Sequence, residues 1–110
     1  MLAAESATGG LLGLLVAHDI GVEWELENIV VAPHSRRGGI GQSLLTALIE
    51  RAKQSNSETV FLEVRESNVA ARTLYEKCGF RPTGRRKSYY SNPLEDSILY
   101  RLNFPRLVSS

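Results

Sequence analysis

The residues best suited to chemistry in this chain begin with a glycine-rich segment at positions 36–41, which separates an apolar run from a leucine-rich run. The first turn of a helix leaves its amide groups without intrahelical partners and carries the positive end of the helix dipole. Such a turn can hold a phosphate, and its glycines let the backbone approach the ligand because they carry no Cβ. The segment therefore predicts a site for a phosphorylated ligand, with a plain surface turn as the alternative.

A second candidate binding feature precedes this segment. Val22, Trp24 and Leu26 alternate with polar residues, as in a half-buried strand, until three apolar residues follow one another at positions 29–31. This break favours a β-bulge within residues 27–29, which would separate the strand from its neighbour. Backbone groups left unpaired in this way can dock a ligand that contains amides.

The elements expected to position these features follow from the spacing of apolar residues. Apolar residues three and four positions apart predict a helix over about residues 41–54. A second helix is expected after a cap at Ser67 or Asn68, and Gly79 would end it. Strands are expected over residues 10–17, 22–32, 59–65, 80–86 and 97–104, the last two joined by a loop at 89–95. The order β-β-α-β-α-β-β predicts an α/β fold with a mixed sheet.

Length and composition limit the possible classes of protein. A chain of 110 residues suits a single domain, expected over about residues 10–104, with fraying ends that include the first eight residues. The net charge of +1 provides no overall field for binding nucleic acid or a membrane. Cys78 is the only cysteine, so no intrachain disulfide can form and no zinc set is expected with His18 and His34. This cysteine usage fits a reducing cytoplasm.

Four motifs, in a fixed order, connect these segments. They are the Ile-Val-Val-Ala-Pro run at 29–33, the Arg-x-x-Gly-x-Gly loop at 36–41, the Leu-Glu-Val-Arg strand at 62–65 followed by Asn68, and the Leu-Tyr-Glu-Lys-Cys-Gly-Phe run at 74–80. Together they resemble the GNAT superfamily of acetyl-CoA-dependent N-acetyltransferases. The extended stretch at 62–68 and the Arg-Arg-Lys-Ser-Tyr-Tyr loop at 85–90 resemble the RimI-type ribosomal-protein alanine N-acetyltransferases within it.

The resemblance implies an enzyme that transfers an acetyl group from acetyl-CoA to a peptide or protein N-terminal α-amine by direct attack. The alternatives are a small-amine or lysine N-acetyltransferase and a CoA-binding module without catalysis. Backbone amides of the glycine loop would hold the pyrophosphate, and the strand before it would pair with the pantetheine arm. The implied cofactor-binding residues are Ile29, Val30, Val31, Arg36, Arg37, Gly38, Gly39, Ile40, Gly41 and Asn68.

The resemblance assigns the general base to Glu63. This residue is expected on the same strand face as Phe61, and apolar company there would raise the pKa of its carboxyl group. The structural alternative is an ion pair with Arg65 or Arg72. Glu27, on the bulged strand near the acceptor, is the competing base.

The resemblance assigns the general acid to Tyr75, which would return a proton to the departing CoA thiolate. Tyr75 follows Asn68 by seven residues, or two helical turns, so both side chains can face one groove. The alternative for Tyr75 is core packing with one hydrogen bond. Tyr89 and Tyr90 are expected to border the entrance for the acceptor, with exposed loop aromatics as the alternative.

Members of the superfamily begin with a strand, two helices and a further strand ahead of the position where this chain begins. The resemblance therefore implies a fold truncated at its N-terminus, in which the apolar strand at 10–17 becomes an edge of the sheet. An exposed apolar edge can pair with another chain. We expect a homodimer through this edge, or else a chain whose acceptor site is incomplete.

Overall fold

The computed structural model describes residues 2–5, 10–33 and 39–105, which form a mixed six-stranded sheet and two helices. In chain order the elements are β1 (Leu2–Glu5), β2 (Leu11–Asp19), β3 (Glu23–Val31), α1 (Ile40–Gln54), β4 (Thr59–Arg65), α2 (Val69–Lys77), β5 (Arg81–Tyr90) and β6 (Glu95–Asn103). The strands lie in the order β1-β2-β3-β4-β6-β5, with β3 parallel to β4 and the other neighbours antiparallel. The predicted α/β class with a mixed sheet is confirmed.

The N-terminal residues differ from the prediction. Residues expected to fray include the strand β1, which pairs with β2 from the Leu2–Leu15 pair to the Glu5–Leu11 pair. Because β2 is paired with β1 on one side and β3 on the other, the prediction that β2 is a sheet edge is wrong. A four-residue strand is too short to produce a recognisable alternation in the sequence. Among the described residues, β1 is the outermost strand on this side of the sheet.

Both helices pack on one face of the sheet. Helix α1 follows Gly39, whose φ of 78° lies in the left-handed region, and buries the apolar residues Leu44, Leu45, Leu48 and Ala52. Helix α2 is capped by Asn68, and Gly79, at φ 97°, follows its last turn, as predicted. Neither helix in the described part of the chain has the length and apolar character needed to cross a bilayer.

The hydrophobic core lies between these helices and the alternating side chains of the central strands. The residues of β4 that face the helices are Val60, Leu62 and Val64, and β6 adds Ile98 and Tyr100 to the same layer. The opposite face of β4 carries Phe61, Glu63 and Arg65, which are all partly exposed. We call this opposite surface the open face of the sheet, because neither helix covers it.

Leu45→Ala is expected to lower the free energy of unfolding by about 2–5 kcal/mol, because it leaves a cavity in this core. The Leu45 side chain is 0% exposed, so water cannot reach the space that its truncation leaves. Urea denaturation with an unchanged m-value measures the effect. The exposed neighbour provides a control: Thr46→Ala is expected to change stability by at most about 0.5 kcal/mol. A loss below about 1 kcal/mol for Leu45→Ala would contradict the packing described here.

The β5 strand extends further than predicted and includes Tyr89 and Tyr90, which were expected in a loop. Nearly all of β5 is exposed because it forms an edge of the sheet, so it has no alternation of apolar and polar residues. Its pairing with β6 is also irregular between Arg86 and Tyr90, where Ser88 has a φ of 53°. The turn between the two strands covers residues 91–94.

Candidate active site

The predicted bulge is present and coincides with a separation of two strands. In the β2–β3 ladder, Val16 pairs with Asn28 and Ala17 pairs with Leu26, so Glu27 is the extra residue. The parallel ladder between β3 and β4 covers the three pairs that end at Glu25–Phe61. Beyond that pair the two strands diverge, and no described strand pairs with the edge of β3 that faces β4.

A cleft of about 700 Å³ lies between the end of β3, the start of α1 and the helix α2. Every described residue that was predicted to bind the cofactor lines this cleft, and so does Tyr75: the set is Ile29, Val30, Val31, Gly39, Ile40, Gly41, Asn68 and Tyr75. Arg36, Arg37 and Gly38 lie outside the described residues. The structure thus brings residues from all four motifs into one cavity, although their roles stay predictions.

Sequence analysis missed part of the cleft wall, namely Gln42, Ala70, Ala71, Leu74 and Lys77. Ala71 and Leu74 follow the apolar spacing of a core-facing helix, and that spacing does not distinguish a core contact from a ligand contact. The first turn of α1 also borders the cleft. Gly39 provides no side-chain cap and the first turn of α1 contains no acidic residue, so neither the cap nor that turn neutralises the positive end of the helix dipole.

Tyr75 combines access to the cleft with an apolar environment. Only 8% of the residue is exposed, and its ring lies 6.0 Å from that of Phe80 and 6.1 Å from that of Tyr100. Burial raises the pKa of the Tyr75 hydroxyl above its usual value of 10.0, and nearby Tyr90 adds to the shift. Tyr75 therefore stays protonated through the neutral pH range and can act as a proton donor.

Asn68 has a structural task as well as a position in the cleft. Its Oδ1 accepts a hydrogen bond of 3.1 Å from the amide of Ala71, so Asn68 is the N-cap of α2. Sequence analysis left Ser67 and Asn68 open as caps, and the structure selects Asn68. Because the side-chain oxygen is used by the cap, the Nδ2 group is the part of the carboxamide suited to a ligand.

Glu63 lies on the open face of the sheet and not among the residues that line the cleft. Its Oε2 accepts a hydrogen bond of 2.8 Å from the Ser97 hydroxyl, and its Oε1 lies 3.2 Å from Arg86 Nη2. The expected apolar surroundings are therefore wrong, because a hydroxyl and a guanidinium contact the carboxylate. Strand register, which local sequence does not specify, brings these two partners to Glu63.

The alternative ion pairs of Glu63 are also wrong. Arg65 Nη1 binds Glu95 Oε2 at 3.0 Å. Arg72 Nε donates to the Tyr100 hydroxyl at 3.1 Å. Each arginine thus has a partner on β6.

The predicted acceptor residues form two groups with different contacts. Tyr89 and Tyr90 contact each other edge to face with ring centroids 5.1 Å apart, and the Arg86 guanidinium lies 5.3 Å from the Tyr89 ring. Since Arg86 also pairs with Glu63, the two tyrosines and Glu63 belong to one surface. Glu27 is exposed at the bulge, where its Oε2 lies 2.6 Å from His18 Nε2. The structure does not place Glu27 in the cleft wall.

The fold and the cleft agree with the comparison to known families, in which residues 2–80 match the acetyltransferase (GNAT) family. The chain belongs to this family. It is 41% identical over 83 residues to the [ribosomal protein bS18]-alanine N-acetyltransferase of Haemophilus influenzae, a match that covers 76% of this chain and 56% of the relative. The chain therefore spans little more than half the length of the curated relatives it matches.

Solved structures show the same architecture. The crystal structure of the ribosomal-protein-S18-alanine N-acetyltransferase from Escherichia coli superposes with a TM-score of 0.86 at 33% identity, covering 94% of this chain and 68% of that chain. A Bacillus anthracis protein named for streptothricin acetylation was solved in complex with acetyl coenzyme A, and it superposes with a TM-score of 0.80 at 31% identity. That match covers 88% of this chain and 58% of the other.

Proposed function

We propose that this chain transfers an acetyl group from acetyl-CoA to the N-terminal α-amine of a protein, by direct attack of the amine on the thioester. The observation that carries the proposal is the cleft where β3 separates from β4, with the first turn of α1 at one end and Tyr75 in its wall. The relatives named for ribosomal protein bS18 support this substrate class, and the complex with acetyl coenzyme A supports the donor.

Acetyl-CoA suits the chemistry of the cleft wall. Its pyrophosphate fits the first turn of α1, where Gly39 has open space beside its Cα and the dipole is favourable. The amides of its pantetheine arm fit the open edge of β3 at residues 29–31, and Asn68 Nδ2 can donate to the same arm. Arg36, Arg37 and Gly38 remain predicted contacts to the phosphates.

The acid and base assignments are supported by their positions on opposite sides of the sheet. A protein α-amine has a reference pKa of about 7.7–8.0, so a base that removes its proton speeds attack at neutral pH. Glu63 on the open face is the proposed base, and Tyr75 on the helix side is the proposed acid. The gap between β3 and β4 connects the two sides, so the amine can approach from one side while the thiolate leaves toward the other. An amide within residues 29–31 can stabilise the oxyanion.

Two measurements on the purified chain test the proposal. Calorimetry measures CoA binding, and mass spectrometry follows acetylation of a peptide that begins with the N-terminal alanine of bS18. The same peptide with a blocked α-amine and a free lysine, and a small polyamine, are the comparison acceptors. Acetylation confined to the free α-amine supports the proposal. Acetylation of the lysine or the polyamine supports the alternative, a small-amine or lysine N-acetyltransferase. Binding of CoA without any transfer would indicate a CoA-binding module.

The homodimer remains a prediction, but its original basis is gone because β2 is not an edge. Size-exclusion chromatography with light scattering at micromolar concentration measures the mass in solution. A monomer would remove the dimer from the proposal without affecting the acetyl transfer.

We also retain the cytoplasm as the proposed location, on the basis of the single cysteine.

Gly39→Ala is expected to weaken CoA binding by up to about 30-fold, since a non-glycine residue in the left-handed region costs about 1–2 kcal/mol. The variant can relieve this strain by turning the first amides of α1 away from the cleft. To bind CoA, it must turn those amides back toward the cleft, and the strain then lowers the affinity. Calorimetric titration with CoA measures the change. Gly84→Ala is the matched control, because a Cβ at Gly84 meets Leu99 Cβ at an ordinary 3.9 Å. Equal affinities for the two variants would contradict the proposed phosphate site.

A further inference from the structure

A buried tyrosine hydroxyl connects α2 to the sheet beside Tyr75. Tyr100 on β6 is 0% exposed, and its hydroxyl donates to Glu76 Oε2 at 2.6 Å and accepts from Arg72 Nε at 3.1 Å. Arg72 Nη1 also donates to the carbonyl of Glu66 at 2.9 Å, just before the helix. The donor and acceptor capacity of the hydroxyl is thus satisfied by two charged side chains from one helix. We call Tyr100, Arg72 and Glu76 the α2 clamp.

The helix depends on tertiary contacts for its orientation. Helix α2 has nine residues, of which Tyr75 is the buried one, and helices this short are marginal in isolation. Arg72 and Glu76 lie one helical turn apart on the same side, so both bonds to Tyr100 oppose rotation of the helix about its axis. Tyr75 lies between them in the sequence. Rotation of the helix would therefore move the Tyr75 hydroxyl, and the clamp opposes that rotation.

The clamp contacts Tyr75 but does not form part of the cleft wall. The rings of Tyr100 and Tyr75 lie 6.1 Å apart, whereas none of the three clamp residues lines the cleft. Its influence on a ligand in the cleft must therefore pass through residues of α2. Proton transfer is sensitive to such influence, since a displacement of about 1 Å at a reacting group can cost about 100-fold in rate.

We propose that the α2 clamp positions the Tyr75 hydroxyl for proton transfer to the departing thiolate. The inference rests on the proposed function, in which Tyr75 is the general acid. The clamp residues are positioning residues, because they reach the reacting atoms only through Tyr75. Because Tyr100 is 0% exposed, water does not compete for its hydroxyl, and the two hydrogen bonds to Arg72 and Glu76 keep their geometry.

Tyr100→Phe keeps the ring contact with Tyr75 and removes the hydroxyl. We expect kcat to fall by about tenfold, with the KM for acetyl-CoA changed by less than about threefold. In a chain that already carries Tyr75→Phe, the same change is expected to have little further effect on kcat, because the group being positioned is gone. Equal losses in both backgrounds would show a general structural role and overturn the proposal.

Three further variants separate positioning from stability. Glu76→Ala removes the acceptor and should lower kcat as Tyr100→Phe does, whereas Glu76→Gln keeps an acceptor and should restore most of the rate. Thr59→Val is the control for loss of a buried hydroxyl, because it removes a 2.8 Å bond to Asn103 at the far end of β4. A fall in kcat for Thr59→Val equal to that for Tyr100→Phe would overturn the proposal.

A measurement without turnover distinguishes failure of this inference from failure of the proposed function. Nuclear magnetic resonance of protein labelled at the tyrosine rings reports the environment of each tyrosine. Tyr100→Phe should shift or broaden the Tyr75 ring signals and leave those of the exposed Tyr89 unchanged. Unchanged Tyr75 signals would overturn the clamp even if acetyl transfer is observed. Shifted signals in a chain that transfers no acetyl group would support the clamp and refute the proposed function.

Discussion

Tyr75→Phe is expected to lower kcat for acetyl transfer by about 100- to 10,000-fold, the range that a positioned general acid contributes. The variant retains the ring contacts with Phe80 and Tyr100, so the cleft wall and the core should keep their shape. The reason for the loss is chemical, because a thiolate that leaves without a proton is a poorer leaving group at neutral pH. Affinity for CoA should therefore change by less than about threefold.

The measurement combines steady-state kinetics with calorimetric titration of the same preparation. Thr59→Val again serves as the control for a lost hydroxyl outside the cleft. Because burial raises the pKa of Tyr75, ionisation of this acid is not expected to lower wild-type kcat in the neutral pH range. A rate for Tyr75→Phe within about threefold of wild type, under ~0.7 kcal/mol of transition-state stabilisation, would show that another group supplies the proton.

Glu63→Gln is expected to lower kcat by about 100-fold at pH 7, because the amide cannot accept a proton from the attacking amine. The substitution keeps an oxygen that can accept from the Ser97 hydroxyl, and it loses the ion pair with Arg86. That pair is partly exposed, and such pairs contribute about 0–1 kcal/mol to stability, so the protein should remain folded. The kinetic loss should therefore exceed any loss of folded protein.

The pH dependence gives a second test of the same residue. A free α-amine loses its proton without assistance as the pH rises through about 8, so the deficit of Glu63→Gln should shrink between pH 7 and pH 9. Glu27→Gln separates the two candidate bases, since Glu27 pairs with His18 at the bulge and lies outside the cleft wall. A larger loss for Glu27→Gln than for Glu63→Gln would transfer the role of base to Glu27.

The neighbours of Glu63 show a limit of sequence analysis. Position 63 was identified from its motif, but Ser97 and Arg86 come from β6 and β5 and meet the carboxylate only through strand register. The same holds for the α2 clamp, in which Tyr100 lies more than twenty positions along the chain from Arg72 and Glu76. Cross-strand contacts depend on pairing partners, and a single sequence contains no direct record of them.

Helices and strands were predicted correctly where one face of the element is buried, and the extent of a strand was missed where neither face is buried. The strand Thr59–Arg65 was predicted with its observed bounds because its alternation reflects burial of one face, and α1 begins one residue earlier than predicted. The break at residues 29–31 predicted the bulge because apolar side chains there no longer alternate. The extent of β5 was missed because an edge strand exposed along most of its length has no pattern to detect.

The sequence by itself determined the order of most elements and was enough to predict the phosphate-binding turn, the acid and the base, because these depend on local spacing and on motifs. Only the tertiary structure decided that the neighbour from which β3 separates is β4, that the cleft gathers residues from all four motifs, and that Glu63 and Tyr75 lie on opposite sides of the sheet. The physical reason is that burial of one face produces a periodic pattern of apolar residues within one segment. Register and strand separation arise instead from contacts between segments that are distant in sequence.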